Sequence, residues 1–166
     1  GGEPMFHTDL EMFNRHFAPP CVLSHALGPT ETLTACWLIL PHGAAVREGK
    51  LPIGRSLPDK EVLLVDEYRR EVADGEIGEL AIRSRYVSTG YWRDPERTAA
   101  AFIADPAGSD ARVYLTGDLA KRDEELEVLE MNRGQGLAVR TGRLVMGRLH
   151  GSSSRAWADA VYRERL

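Results

Sequence analysis

Apolar residues recur at helical spacing near the start of the chain: Phe6, Leu10, Phe13 and Phe17, with Glu11 and Arg15 on the opposite side. The spacing predicts a helix over residues 4–17. Pro19-Pro20 ends it, since proline lacks an N–H and clashes with the preceding turn. The run Cys21-Val22-Leu23 predicts a short buried strand. Residues 33–40 predict a second one, which stops at Pro41-His42-Gly43. Between them Gly28-Pro29 presets a tight turn, followed by Thr30, Glu31 and Thr32. A turn between buried strands holds such polar groups at the rim of a sheet, where ligands bind in α/β proteins.

Past residue 45 the period changes to two. Glu61–Val65 reads as a strand, Asp66 opens a turn, and Val72 leads to Asp74-Gly75, a hairpin signal. Glu79–Arg83 alternates and predicts another strand. Asp94-Pro95-Glu96 is a helix start: an acid to cap, proline at the first position and an acid in the first turn. That helix is expected to run through Phe102. Residues 105–110 form a loop, and Arg112–Leu115 a strand ending in Thr116-Gly117-Asp118. Gly90-Tyr91-Trp92 is read as two aromatics packed on a small barrel. The fold expected is mixed α/β. Residues 1–45 are the βαβ-type end of an α/β sheet subdomain, and 46–130 a small antiparallel β-barrel-like subdomain. Residues 131–166 are a poorly ordered basic tail.

Composition sharpens the boundary at 131. The chain has 166 residues, 43% hydrophobic and 28% charged, the profile of a soluble globular domain. Its net charge of −4 hides an asymmetry. Residues 1–130 carry 14 Lys and Arg against 23 Asp and Glu, and residues 131–166 carry seven Arg against Asp159 and Glu164. Within the tail, Leu137–Val139 and Leu144–Met146 are expected to pair around Thr141-Gly142, and residues 156–166 to form a short helix. Tail arginines permit nucleic-acid contact. The acidic body and the lack of any recognisable module speak against it, so nucleic acid is not expected as a partner. An out-of-frame reading of a GC-rich gene also gives such an Arg/Gly/Ser-rich composition. No apolar run is long enough to cross a bilayer, so no membrane partner is expected. The start, Gly1-Gly2-Glu3-Pro4, has neither Met nor a signal-peptide pattern. The chain is expected to be a piece of a longer, cytoplasmic protein. Cys21 and Cys36 are expected to be buried free thiols, and the five histidines lack metal-ligand spacing.

Three stretches then carry a resemblance: LGPTET at 27–32, GEIGELAIRSRYVSTGYWRDPERTAAAF at 75–102, and YLTGDLA at 114–120. In this order they resemble the adenylate-forming enzymes, a superfamily of peptide-synthetase adenylation domains, acyl-CoA synthetases and luciferases. Gly1-Gly2-Glu3 and Leu51-Pro52-Ile53-Gly54-Arg55 add to it, and the likeness is greatest to peptide-synthetase adenylation domains. It covers about residues 1–130. It implies ATP and Mg²⁺ as cofactors and activation of an amino acid or other carboxylate as acyl-AMP. The acceptor would be a carrier-protein phosphopantetheine thiol or, in an acyl-CoA synthetase, CoA. Glu31 would be the metal ligand, a hard oxygen suited to Mg²⁺. Thr30 would donate its hydroxyl to the α-phosphate, making Thr30 and Glu31 the catalytic pair. Gly28, Pro29, Thr30 and Asp118 would bind nucleotide, Asp118 accepting from the ribose hydroxyls, with Gly117 allowing close backbone approach. Ala26, Thr34 and Ala35 would lie along the substrate pocket. Taken alone, Pro-Thr-Glu reads instead as a helix-capping Thr beside a solvated Glu, and Thr-Gly-Asp as an ordinary strand-end turn.

Several positions depart from the family pattern. Leu27 stands where an adenine-stacking aromatic is usual, His25 where Asn is frequent, and Leu115 where Arg is frequent. Arg83, Ser84 and Tyr86 stand where Gly is common. A Gly/Ser/Thr-rich phosphate loop with its Lys has no match, nor has the catalytic Lys of the family's C-terminal domain. Lys50, Lys60 and Lys121 fit neither place. The chain is therefore expected to be inactive alone.

Overall fold

The computed structural model describes residues 3–123 and 143–148. The first helix, α1, spans His7–His16. Asp9 fixes its start by accepting from the Phe6 N–H at 2.7 Å. Leu10 and Phe13 are buried, whereas Phe6 and Phe17, expected on the same apolar face, are exposed. Phe17 lies past the last turn and stacks on Phe13 with ring centroids 5.4 Å apart.

Strands β1 (Val22–Leu27) and β2 (Cys36–Pro41) pair antiparallel, with β3 (Arg55–Ser56) beyond β2. The parallel βαβ pairing expected here is therefore replaced by a hairpin-like pair, which the short Gly28–Ala35 connection suits. Because β1 is the edge strand, Val22 stays exposed, and so does Cys21 just before it. The expectation of two buried thiols holds only for Cys36. Leu10, Phe13, Leu40 and Leu51 seat α1 on this sheet.

A second sheet holds β4 (Glu61–Val65), β5 (Ile77–Ser84), β6 (Phe102–Ala104), β7 (Arg112–Asp123) and β8 (Arg143–Arg148). Its order is β4-β5-β7-β6, with β8 also on β7, and every pairing is antiparallel. It stays open rather than closing into a barrel among the described residues. Asp66 builds the turn after β4 by accepting from the N–H groups of Tyr68 and Arg70 at 2.8 and 2.9 Å. Helix α2 (Pro95–Ala101) starts as its sequence predicts, with Asp94 accepting from the Arg97 N–H at 3.0 Å.

The two sheets share one core. Ala35, Cys36 and Ile53 from the first meet Leu64, Leu80, Ile82 and Ala120 from the second, with Leu27 packed alongside. Leu144–Met146 lies in β8, which pairs with β7, and its anticipated partner Leu137–Val139 lies outside the described residues. So do the expected 156–166 helix and the expected poor order of the rest of the tail. No helix among the described residues is long and apolar enough to cross a membrane.

Candidate functional site

The turn between β1 and β2 is closed by backbone bonds. The Thr32 N–H donates to Pro29 O at 3.1 Å, and the Ala35 N–H to Leu27 O at 2.8 Å. Gly28 is required there. A Cβ on it would lie 2.5 Å from Leu33 O and 2.7 Å from Thr34 Cα. Thr32 is fully buried and donates to Leu33 O at 3.1 Å. Thr30 is exposed in a turn, not at the start of a helix.

Glu31 is half-buried, and two later segments hold it. Its carbonyl accepts from the Ser88 N–H at 2.8 Å, and its Oε1 accepts from the Tyr91 hydroxyl at 2.7 Å. The Tyr114 hydroxyl also bears electrostatically on both Glu31 and Tyr91. The rings of Tyr91 and Tyr114 pack on Phe102, with centroids 5.3 and 5.0 Å away. The Arg97 guanidinium lies 4.6 Å over the Tyr91 ring.

Burial works to raise the Glu31 pKa. Tyr91, its own N–H and Tyr114, with the charge of Arg97, outweigh that and hold it below the usual value. Burial pushes both tyrosines above theirs, so Tyr91 keeps the proton it donates to Glu31. A carboxylate has about four acceptor positions. The Tyr91 hydroxyl takes one of them, which leaves room for a monodentate cation. Among the described residues no group of three or more His, Cys, Asp or Glu could hold a metal by itself. The donor set thus fits Mg²⁺, which takes one or two carboxylates and completes its shell with phosphate and water oxygens.

The Thr116-Gly117-Asp118 segment does not end its strand as expected. It forms a bulge within β7: Leu115 faces Ala81 and Leu119 faces Glu79, so three residues stand opposite Leu80. Thr116 Oγ1 donates to Leu80 O at 2.7 Å and accepts from the Asp118 N–H at 3.1 Å. The Gly117 N–H donates to Glu79 Oε1 at 2.9 Å. Gly117 has φ +74°, and a Cβ on it would meet nothing within 4 Å. Glycine serves the left-handed backbone here. Asp118 is half-buried, four residues after Tyr114 on the same strand.

The structure therefore connects the turn to β7 through the core that Leu27 and Ala35 share with Ala120. Of the anticipated pocket residues, Ala26 is half-buried on β1, Thr34 is exposed and Ala35 is fully buried in the shared core. Burial lowers the pKa of His25 on β1. The sequence reading missed Tyr91, Tyr114 and Arg97. Tyr91 was read as barrel packing beside Trp92, yet Trp92 is 86% exposed while Tyr91 reaches Glu31. The available signal was the presence of a tyrosine in each of the second and third motifs.

The sequence profile of the AMP-binding enzymes matches residues 1–92. The chain is 35% identical to malpibaldin synthetase of Mortierella alpina over 147 residues, which cover 87% of this chain and 3% of that protein. It is 39% identical to isonitrile lipopeptide synthase of Mycobacterium tuberculosis over 136 residues, which cover 79% of this chain and 5% of that one. Among solved structures, an artificially fused adenylation–PCP di-domain peptide synthetase from Klebsiella oxytoca, NpsA-ThdA, superposes with a TM-score of 0.66 at 27% identity. The match covers 90% of this chain and 25% of that one. The chain thus spans only a small part of the length of these relatives.

Proposed function

Because the chain belongs to the AMP-binding enzyme family, as a partial segment resembling a peptide-synthetase adenylation domain, we propose that it forms one wall of an adenylation site. The reaction would join a carboxylate oxygen of an amino acid or other acid to the α-phosphorus of ATP, release pyrophosphate and give an acyl-AMP. The acyl group would then pass to a carrier-protein phosphopantetheine thiol. A fused adenylation–PCP relative supports that choice of partner. The observation that carries the reading is the Glu31 carboxylate, held anionic at a turn that β7 also reaches.

In this reading Gly28 and Pro29 shape the turn. Thr30, exposed, presents its hydroxyl to the α-phosphate. Glu31 holds Mg²⁺, which when bound neutralises phosphate charge. Asp118, oriented by the Thr116–Leu80 bond, accepts from the ribose hydroxyls. Ala26 and Thr34 border the substrate, and Ala35 supports them from the core. The first sheet, which ends with β3, is the end of an α/β subdomain and the open second sheet, from β4 on, a second subdomain, with a compositionally distinct segment after residue 130. The parent protein works in the cytoplasm.

Grafting residues 3–123 in place of the matching segment of an active peptide-synthetase adenylation domain tests this. The chimera is expected to catalyse ATP–pyrophosphate exchange that Glu31→Gln and Asp118→Asn each abolish. Exchange unaffected by either substitution would contradict the assignment.

A further inference from the structure

Residues 90–102 make a set of contacts that all lead back to one side chain. Gly90 has φ +141°, and a Cβ there would collide with the Thr98 side chain. The Thr98 side chain occupies that space, its Cγ2 nearest, while Oγ1 accepts from the Tyr91 N–H at 2.9 Å and donates to Asp94 O at 2.7 Å. Asp94 caps α2, whose first residue is Pro95. Phe102, at the end of α2, gives Tyr91 its edge-on ring contact at 5.3 Å. Arg97 covers the other part of the ring at 4.6 Å. The Tyr91 backbone and ring are thus fixed separately, and its hydroxyl points at Glu31 Oε1, 60 residues earlier in the chain. Ser88 fixes the Glu31 backbone in turn, its N–H on Glu31 O, while its own carbonyl accepts from Arg112 Nη1 at 2.8 Å.

We propose that Gly90-Tyr91, Asp94-Pro95, Thr98 and Phe102 form a bracket that orients the Glu31 carboxylate, with Tyr91 as its positioning residue. The inference rests on the reading of Glu31 as a cation ligand and adds what aims it. The need is physical. A lone glutamate on an exposed turn samples several rotamers, and a single-carboxylate cation site requires one. Hydrogen-bond partners that orient a ligand commonly change metal affinity about 10–100-fold. Gly, Tyr, Pro, Thr and Phe at these spacings follow from the bracket: room for Thr98, the donor, the helix start, the backbone acceptor and the ring seat.

The test uses the whole chain labelled with ¹³C at glutamate carboxyls, the Glu31 signal being assigned by Glu31→Gln. Tyr91→Phe keeps the ring on Phe102 and removes only the hydroxyl. Thr98→Val touches no Glu31 atom and releases the Tyr91 backbone. Both are expected to move the Glu31 carboxyl signal while the melting temperature of Tyr91→Phe stays near that of the unsubstituted chain. A Glu31 signal unmoved by both substitutions would overturn the bracket, whatever binds there. Mn²⁺ alone, added to the unsubstituted chain, is expected to broaden the Glu31 signal. Tyr91→Phe is expected to need about tenfold more Mn²⁺ for the same broadening. Broadening at equal Mn²⁺ in both chains would overturn the bracket as a positioning device. No broadening of Glu31 in the unsubstituted chain would contradict its role as a ligand, while the first comparison still decides the bracket.

Discussion

Glu31 joins the hydrogen bonding of the site to its chemistry. Its carboxyl is held below the usual range, so the sign of its pH effect is fixed. A lowered folded pKa gives stability that is complete above the ordinary Glu value, about 4.3. That stability is lost as pH falls through the lower folded value. Urea midpoints of the unsubstituted chain and Glu31→Gln should therefore differ at neutral pH, and the gap should close in acid. A second residue-scale expectation concerns the thiols. Cys21 is exposed, whereas burial pushes the Cys36 thiol up to about 12. A thiol reagent at pH 8 should modify one cysteine at once and the second only on unfolding; Cys21→Ser should remove the fast phase. The sequence did not separate the two, because both lie in apolar runs. What separates them is that β1 is an edge strand, a matter of pairing partners rather than local pattern.

Elements whose causes are local were legible. Asp94-Pro95-Glu96 marked the start of α2, Asp66 its turn, and the period-two runs gave β4 and β5. What involved distant partners was not. The β1–β2 pairing proved antiparallel, the second sheet open, and the Tyr91–Glu31 bond crosses 60 positions. The Thr116–Asp118 bulge was hidden for the same reason, since it exists only opposite Leu80. Two glycines separate the local cause from the distant one. Gly75, at φ +87° with nothing near its missing Cβ, needs only its backbone conformation. Gly75→Ala should cost about 1–2 kcal/mol, the strain of a left-handed alanine. Gly90→Ala meets the Thr98 side chain as well and should cost more. Denaturant titration of the two variants checks the order, and equal losses would mean that Thr98 yields without resistance.

At the scale of the molecule, one core carries both motifs. Leu80 and Ile82 are fully buried between the sheets, beside Ala35 from the turn and Ala120 from β7. Leu80→Ala should destabilise the chain by roughly 2–5 kcal/mol, as deletion of a fully buried side chain does. By displacing Thr116's acceptor strand it should disturb Asp118 too. The motifs themselves made the family legible, since their order survives even where Leu27 and Leu115 depart from it. The chain alone is expected to give no ATP–pyrophosphate exchange above background, because no lysine in it matches the phosphate loop or the catalytic lysine of the family. The most direct measurement of the central claim is equilibrium binding of ATP to this chain, with and without Mg²⁺, for the unsubstituted sequence, Glu31→Gln and Asp118→Asn. The account predicts binding that Mg²⁺ strengthens, a Mg²⁺ effect lost in Glu31→Gln, and weaker binding in Asp118→Asn with or without the metal. Equal binding by all three, or a Mg²⁺ effect that survives Glu31→Gln, would contradict it.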